Sequence, residues 1–182
     1  LVIVSPVGGY FKSGASAVSI WVSQNYTRAA PGGTGAAKCG GNYASSLVAQ
    51  AEASKHGCDQ VVFLDAAEHK WIEELGGMNV FFVFKDGSLQ TPPLSGTILP
   101  GITREVLLEA IHAPGVSIAE RHLTLADLER ADEVFITSTT RDLLAVREIE
   151  GLNLKQGADG PRARLCQVFR EYAASTMPVP SR

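Results

Sequence analysis

The stretch Met78-Asn79-Val80-Phe81-Phe82-Val83-Phe84-Lys85-Asp86-Gly87-Ser88 decides the fold class. Its apolar run, Met78 to Phe84, reads as a strand. Lys85-Asp86-Gly87-Ser88 reads as the turn of a hairpin. The returning strand must stop at Thr91-Pro92-Pro93, because proline has no N–H to give to a ladder. A hairpin in mid-chain means antiparallel pairing, which a regular βαβ alternation does not contain.

Outward from the hairpin, the elements interleave irregularly. Downstream, Ile102 to His112 is expected to be a helix, with Val106, Leu107 and Ala110 on one side and Pro114-Gly115 closing it. Thr124 suits an N-cap, with Asp127 near the start of a short helix to Arg130. Glu133 to Thr137 and Leu143 to Ile149 read as strands around the polar loop Ser138-Thr139-Thr140-Arg141-Asp142. A turn follows at Glu150-Gly151. Gly160-Pro161 opens a last helix to about Ala174, with Leu165, Val168, Phe169 and Tyr172 as its stripe. Upstream, Gln60 to Leu64 is a compact strand. Asn42 to His56 is helical, with Tyr43, Leu47, Val48 and Ala51 at helical spacing and Gly57 as its stop. Val18 to Val22 reads as a strand, and Leu1 to Val4 as a short strand or the end of one. The class is α/β with α+β-like irregular order, not a doubly wound sheet.

The 182 residues are 45% hydrophobic and 19% charged, enough apolar content for a buried core. Lys and Arg number 16 against 19 Asp and Glu, a net charge of −3. That balance argues against a nucleic-acid binder, which carries a basic surplus. No apolar run approaches the ~20 residues of a membrane-spanning helix, and no secretory signal is seen. Cys39, Cys58 and Cys166 are too few and too scattered for a disulfide framework or a metal knuckle, so a reduced, cytoplasmic protein is expected. His56, His69, His112 and His122 form no metal-binding spacing, so no metal is expected. The chain opens on Leu1 without an initiator Met, which suggests a piece of a longer protein.

Four places hold more glycine or polar detail than a core needs. In Gly32-Gly33-Thr34-Gly35-Ala36-Ala37-Lys38-Cys39-Gly40-Gly41-Asn42-Tyr43, a lysine stands between glycine clusters before a helix. A phosphate loop needs Gly before the Lys and Ser or Thr after it, and Ala37 and Cys39 occupy those places. A Schiff-base lysine and a flexible surface loop both remain open. Trp71-Ile72-Glu73-Glu74-Leu75-Gly76-Gly77-Met78-Asn79 sets a carboxylate pair before a glycine bend. A buried carboxylate there would hold a cationic ring nitrogen; an ordinary turn has solvated glutamates. Ser95-Gly96-Thr97-Ile98-Leu99-Pro100-Gly101-Ile102-Thr103-Arg104 opens a helix, whose free N–H groups bind phosphate, though most helix starts bind nothing. Thr137-Ser138-Thr139-Thr140 offers consecutive hydroxyls to an anion, or is a plain polar turn.

Together, Ala37-Lys38-Cys39-Gly40-Gly41-Asn42-Tyr43, Glu74-Leu75-Gly76-Gly77-Met78-Asn79 and Leu99-Pro100-Gly101-Ile102-Thr103-Arg104 resemble, in order and interval, the signatures of the class IV pyridoxal-phosphate aminotransferases, and most nearly the branched-chain amino-acid aminotransferases. Ser5-Pro6-Val7-Gly8-Gly9-Tyr10-Phe11 resembles their interdomain segment. The resemblance covers essentially the whole chain. It implies the pseudo-barrel large domain of fold type IV. It divides the chain into 1–12, the end of a small domain and the interdomain segment; 13–176, the cofactor-binding large domain; and 177–182, a loose tail.

The same resemblance implies the roles of single residues. Lys38 would be the catalytic residue, linked covalently to pyridoxal 5'-phosphate and shuttling the proton. Tyr43 would meet the cofactor's phenolic oxygen and Glu74 its ring nitrogen. Ile102 and Thr103 would hold the phosphate at the helix start, with Ser138 and Thr139 nearby. Thr140 would meet the substrate carboxylate. A free lysine of pKa about 10.4 is a poor nucleophile at neutral pH, so a working one must be perturbed or covalently held.

The implied partners are an amino acid and a 2-oxo acid, in a homodimer, with neither nucleic acid nor membrane. The implied reaction is amino transfer between branched-chain L-amino acids and 2-oxoglutarate. The sequence departs from the family in two ways. The small domain, with its phosphate-binding arginine and one pocket wall, is absent, so weak or no activity is expected of this chain alone. Ser138 and Thr140 stand where branched-chain enzymes have glycine and alanine, which leaves D-amino-acid or aminodeoxychorismate-type chemistry, or a non-catalytic cofactor-binding domain, as alternatives.

Overall fold

The computed structural model describes residues 3–6, 16–109, 116–157 and 159–176. Among the described residues, nine strands form one mixed sheet. In chain order the elements are β1 (Ala17–Ser23), α1 (Gly40–Lys55), β2 (Gln60–Leu64), β3 (Ile72–Leu75), β4 (Asn79–Val83), β5 (Ser88–Thr91), α2 (Ile102–Glu109), β6 (Ser117–Glu120), α3 (Leu125–Arg130), β7 (Glu133–Ser138), β8 (Asp142–Ile149), β9 (Leu152–Asn153) and α4 (Pro161–Thr176). The spatial order is β3-β2-β1-β8-β7-β4-β5-β6, with β9 on β8.

The β4–β5 hairpin is antiparallel, and its turn closes with Phe84 N–H to Ser88 O and Gly87 N–H to Phe84 O, both 2.9 Å. β1 is parallel to both of its neighbours, β2 and β8. The sheet curls so that its far ends approach. Ile72, opening β3, donates its N–H to Leu123 O at 2.7 Å, three residues past β6.

Strand alternation sorts the core. Val62, Leu64, Val80, Phe82, Val134 and Ile136 enter the concave interior cluster. Val61 and Phe63 face α1, against Ala49 and Ala53. Phe81, Val83, Phe135 and Leu143 pack with Leu107 of α2 and Leu165 of α4. The Phe81 and Phe135 rings stack at 5.0 Å. Helices therefore coat the outside of a curved sheet.

Several expectations change. Ile3 and Val4 lie outside any strand and are 80% and 91% exposed. The buried face of α1 is Asn42, Ser46, Ala49 and Ala53, while Leu47 and Val48 are exposed. Small side chains let the helix lie close to β2, which larger ones would prevent. β3, β6 and β9 were not foreseen. The short helix at 125–130 is held as expected, with the Thr124 N–H and hydroxyl both donating to Asp127 Oδ2 at 2.9 Å. The expected interdomain segment from Val7 to Phe11, the end of the helix from Ala110 to His112, and the tail 177–182 lie outside the described residues.

Candidate functional site

Lys38 sits at the end of a loop that the fold ties down on two sides. Asn42, in the first turn of α1, donates from Nδ2 to Thr34 O at 2.8 Å and to Ala37 O at 3.0 Å. The Thr34 hydroxyl donates back to Asn42 Oδ1 at 2.8 Å. Across the loop, Ala36 N–H donates to Gly96 O at 3.0 Å. A Cβ on Gly35 would lie 2.4 Å from Thr97 backbone, so only glycine permits this approach. The segments around Lys38 and before α2 are thereby held against each other.

Lys38, Tyr43, Ser138, Thr139 and Thr140 line one cavity of about 440 Å³ with Leu47, Val61, Gly76, Gly77 and Met78. Lys38 is exposed at its mouth, with Nζ 5.5 Å from the Tyr43 ring centroid. Gly77 packs beside that ring, and a Cβ there would sit in ordinary contact, 3.5 Å from Tyr43 Cε1. The Ser138 and Thr140 hydroxyls lie 3.3 Å apart. Five of the residues singled out in the sequence, from two distant segments, thus meet at one opening.

Glu74, Ile102 and Thr103 are not among the residues lining that cavity. Glu74 is buried on β3. Its Oε1 lies 2.6 Å from the Arg28 guanidinium and accepts the Leu99 N–H at 2.7 Å. Its Oε2 has only a long contact, 3.4 Å, from Asn79 Nδ2. Burial pushes this carboxyl up to about 7, against the pull of Arg28, the Leu99 N–H and Lys38; the charge of Glu73 adds to the rise. Asn79 Nδ2 also donates to Leu99 O at 2.9 Å. Glu74 is therefore bonded to the strap that leads into α2. Ile102 is exposed and Thr103 buried at the first turn of that helix, where N–H groups have no intrahelical acceptor.

Sequence reasoning missed Arg28 and the role of Thr97, and named Thr137 only as part of the hydroxyl row. Arg28 is 4% exposed, and besides Glu74 its guanidinium donates to Gly35 O at 2.8 Å and to Thr97 O. No local pattern flags it. Thr97 donates its hydroxyl to Glu73. Thr137 is 2% exposed, and its hydroxyl oxygen has no partner among the described residues; it pairs across the sheet with Asn79. Its place next to Ser138 was the available signal.

The cavity itself offers an amine, a phenol and a row of hydroxyls; the buried carboxylate and the helix start lie off it and are joined to each other through the strap. A family model for class IV amino-transferases matches residues 10–149. The chain is 47% identical over 181 residues to the branched-chain-amino-acid aminotransferase of Mycobacterium tuberculosis, covering 94% of this chain and 49% of that one. It is similar to the crystal structure of the Escherichia coli branched-chain amino acid aminotransferase, at TM-score 0.80 and 36% identity over 92% of this chain and 55% of that one. It is also similar to the Thermobaculum terrenum branched-chain aminotransferase in its PLP form, at TM-score 0.78 and 30% identity over 88% and 52%. The chain spans about half the length of these relatives.

Proposed function

The chain belongs to the class IV aminotransferases, and from that premise we propose that it holds pyridoxal 5'-phosphate and provides the cofactor half of a transaminase acting on branched-chain L-amino acids and 2-oxoglutarate. The observation that carries this reading is the meeting of Lys38, Tyr43 and Ser138–Thr140 at one cavity. Beside them runs a strap that links buried Glu74 to the start of α2. The names of the relatives support branched-chain substrates.

When bound, the cofactor supplies an aldehyde for the amino group and a ring that accepts the electron pair released at the substrate carbon. This chain's residues do the rest. Lys38 Nζ is the amine for the covalent link and the base that moves the proton at the substrate α-carbon. Glu74, whose proton affinity is raised by burial, would be the buried carboxylate that keeps the ring nitrogen protonated. Tyr43 supplies a phenol for the ring oxygen. The free amides of Ile102 and Thr103 and the hydroxyls of Ser138 and Thr139 hold the phosphate. The Thr140 segment meets the substrate carboxylate.

Residues 13–176 form, in this reading, the cofactor-holding large domain, between an interdomain segment at 1–12 and a tail at 177–182. We further propose a homodimer, supported by the exposed apolar pair Leu47 and Val48 on α1. Three free cysteines support a reducing, cytoplasmic setting. Among the described residues no helix is long and apolar enough to cross a membrane.

The test is to add pyridoxal phosphate to the purified chain, reduce with borohydride and map the adduct by mass spectrometry. An adduct on Lys38, lost in Lys38→Ala, is the expected result. Absence of any Lys38 adduct at saturating cofactor overturns the reading.

A further inference from the structure

β3 presents two consecutive buried glutamates, and alternation sends them to opposite faces of the strand. Glu74 serves the site already described. Glu73 borders a second cavity, of about 170 Å³, shared with Trp71, Ser95, Thr97 and His122. Glu73 is 6% exposed. Its Oε1 accepts the Thr97 hydroxyl and, at 3.5 Å, that of Ser95, while its Oε2 has no partner among the described residues. Burying a half-satisfied carboxylate is costly, and a neutral side chain would fill the space more cheaply.

Thr97 joins the two faces. Its hydroxyl goes to Glu73 and its carbonyl oxygen to Arg28, whose guanidinium grips Glu74. Two residues further along the same strap, the Leu99 N–H reaches Glu74 directly. We propose that Glu73 is a positioning residue that sets the proton affinity of Glu74 across β3, by its charge and through Thr97 and Arg28.

Among the described residues, Arg28 is paired with Glu74 and acts on Glu73 by its charge; Lys38 acts on Glu74; Asp65 acts on Glu73 from just past β2; His122 borders the second cavity. Burial raises the Glu73 carboxyl above its ordinary range, and the Thr97 hydroxyl opposes that rise. Ionised Glu73 places a second negative charge beside Glu74, so Glu74 holds its proton more tightly. What Glu74 then does for a bound ring rests on the proposed cofactor reading; the coupling between the carboxylates does not.

The experiment follows the Glu74 carboxyl carbon by NMR through a pH titration of the cofactor-free chain. In Glu73→Gln the Glu74 proton affinity is expected to fall at least about threefold, half a pH unit, and Glu73→Asp, which keeps the charge, restores it. If Glu73→Gln does not fold, Thr97→Val replaces it. Loss of that hydroxyl makes Glu73 harder to ionise and shifts Glu74 the same way. A Glu74 midpoint unchanged in a folded Glu73→Gln or Thr97→Val chain overturns the proposal. A chain that shows the shift but forms no Lys38 adduct keeps this coupling and loses the cofactor reading.

Discussion

The Arg28 guanidinium lies 2.6 Å from the Glu74 carboxylate, and both side chains are 2% exposed. Removing one partner of such a pair leaves an uncompensated buried charge. Arg28→Met is expected to destabilise the chain, measured by urea denaturation, but by less than the ~3–5 kcal/mol of a fully stranded charge, because Glu74, already at about 7 beside Arg28, takes up a proton at neutral pH. The double change Arg28→Met with Glu74→Gln should cost clearly less than the sum of the single changes, because neither charge is then stranded. Additive costs would show that the two side chains do not act as a pair.

Glu74 has an ordinary value of 4.5 and a folded one of about 7. The folded chain therefore binds this proton more tightly than the unfolded one. The stability it contributes is fully present below pH 4.5 and is lost as pH rises through about 7. Without cofactor, the melting temperature should decline across that window, and Glu74→Gln should flatten the decline. An equal slope in both chains would assign the loss to other groups.

Asp65 and Asp127 run the other way. Burial pushes each carboxyl up, but four backbone N–H groups on Asp65, and Thr124 with Arg130 and Arg121 on Asp127, outweigh it and hold both at about 2 from an ordinary 3.8. Their stabilisation is present above pH 3.8 and disappears as pH falls through about 2. Asp65→Asn should remove part of the acid-induced loss of stability seen in a pH 2–4 denaturation series.

Glycine tolerance should differ sharply along one loop. Gly35→Ala drives a Cβ into Thr97 backbone, which cannot move without releasing Arg28 and Glu73; a loss of about 1–3 kcal/mol is expected. Gly40→Ala, at the first residue of α1 with nothing within 4 Å, should be neutral or gain up to about 1 kcal/mol. Thermal melts of the two variants compare them directly.

Leu107→Ala tests the support beneath α2. Leu107 is fully buried against Phe81, Phe135 and Leu165. The truncation should cost about 2–5 kcal/mol and weaken cofactor retention, read as release during dialysis, because the helix start shifts with its core contact.

The elements legible in the sequence were those whose own residues settle their environment. Gln60–Leu64 is wholly buried, and its boundaries match the apolar run. The turn at 85–88 and the Thr124–Asp127 cap need only local chemistry. β3 escaped because half of it is glutamate, and its burial depends on Arg28 and Thr97, both distant in sequence. β6 escaped because it is a mostly exposed edge strand, held by β5 and not by an apolar face of its own. The α1 stripe misled because close approach to β2 favours Ser46, Ala49 and Ala53 over Leu47. Of the site, the lysine and the hydroxyl row lay in glycine-rich or polar settings that left a plain loop or turn open, and Tyr43 gained its role only from the family resemblance. Arg28 and the role of Thr97 escaped, since they exist only once the strap and the loop have met.

β1 has β2 on one side and β8 on the other, and Arg147 of β8 reaches back across 130 residues to Ala17 O at 2.8 Å. During synthesis β1 emerges before β2, which can join it soon after. Its other edge stays open until nearly the whole domain has left the ribosome. Such late, non-local closure makes for slow folding, and an uncovered strand edge invites pairing with other chains. The nascent chain should therefore depend on chaperones up to the appearance of residues 142–149, and a truncation just before them should aggregate where a truncation after α4 stays dispersed.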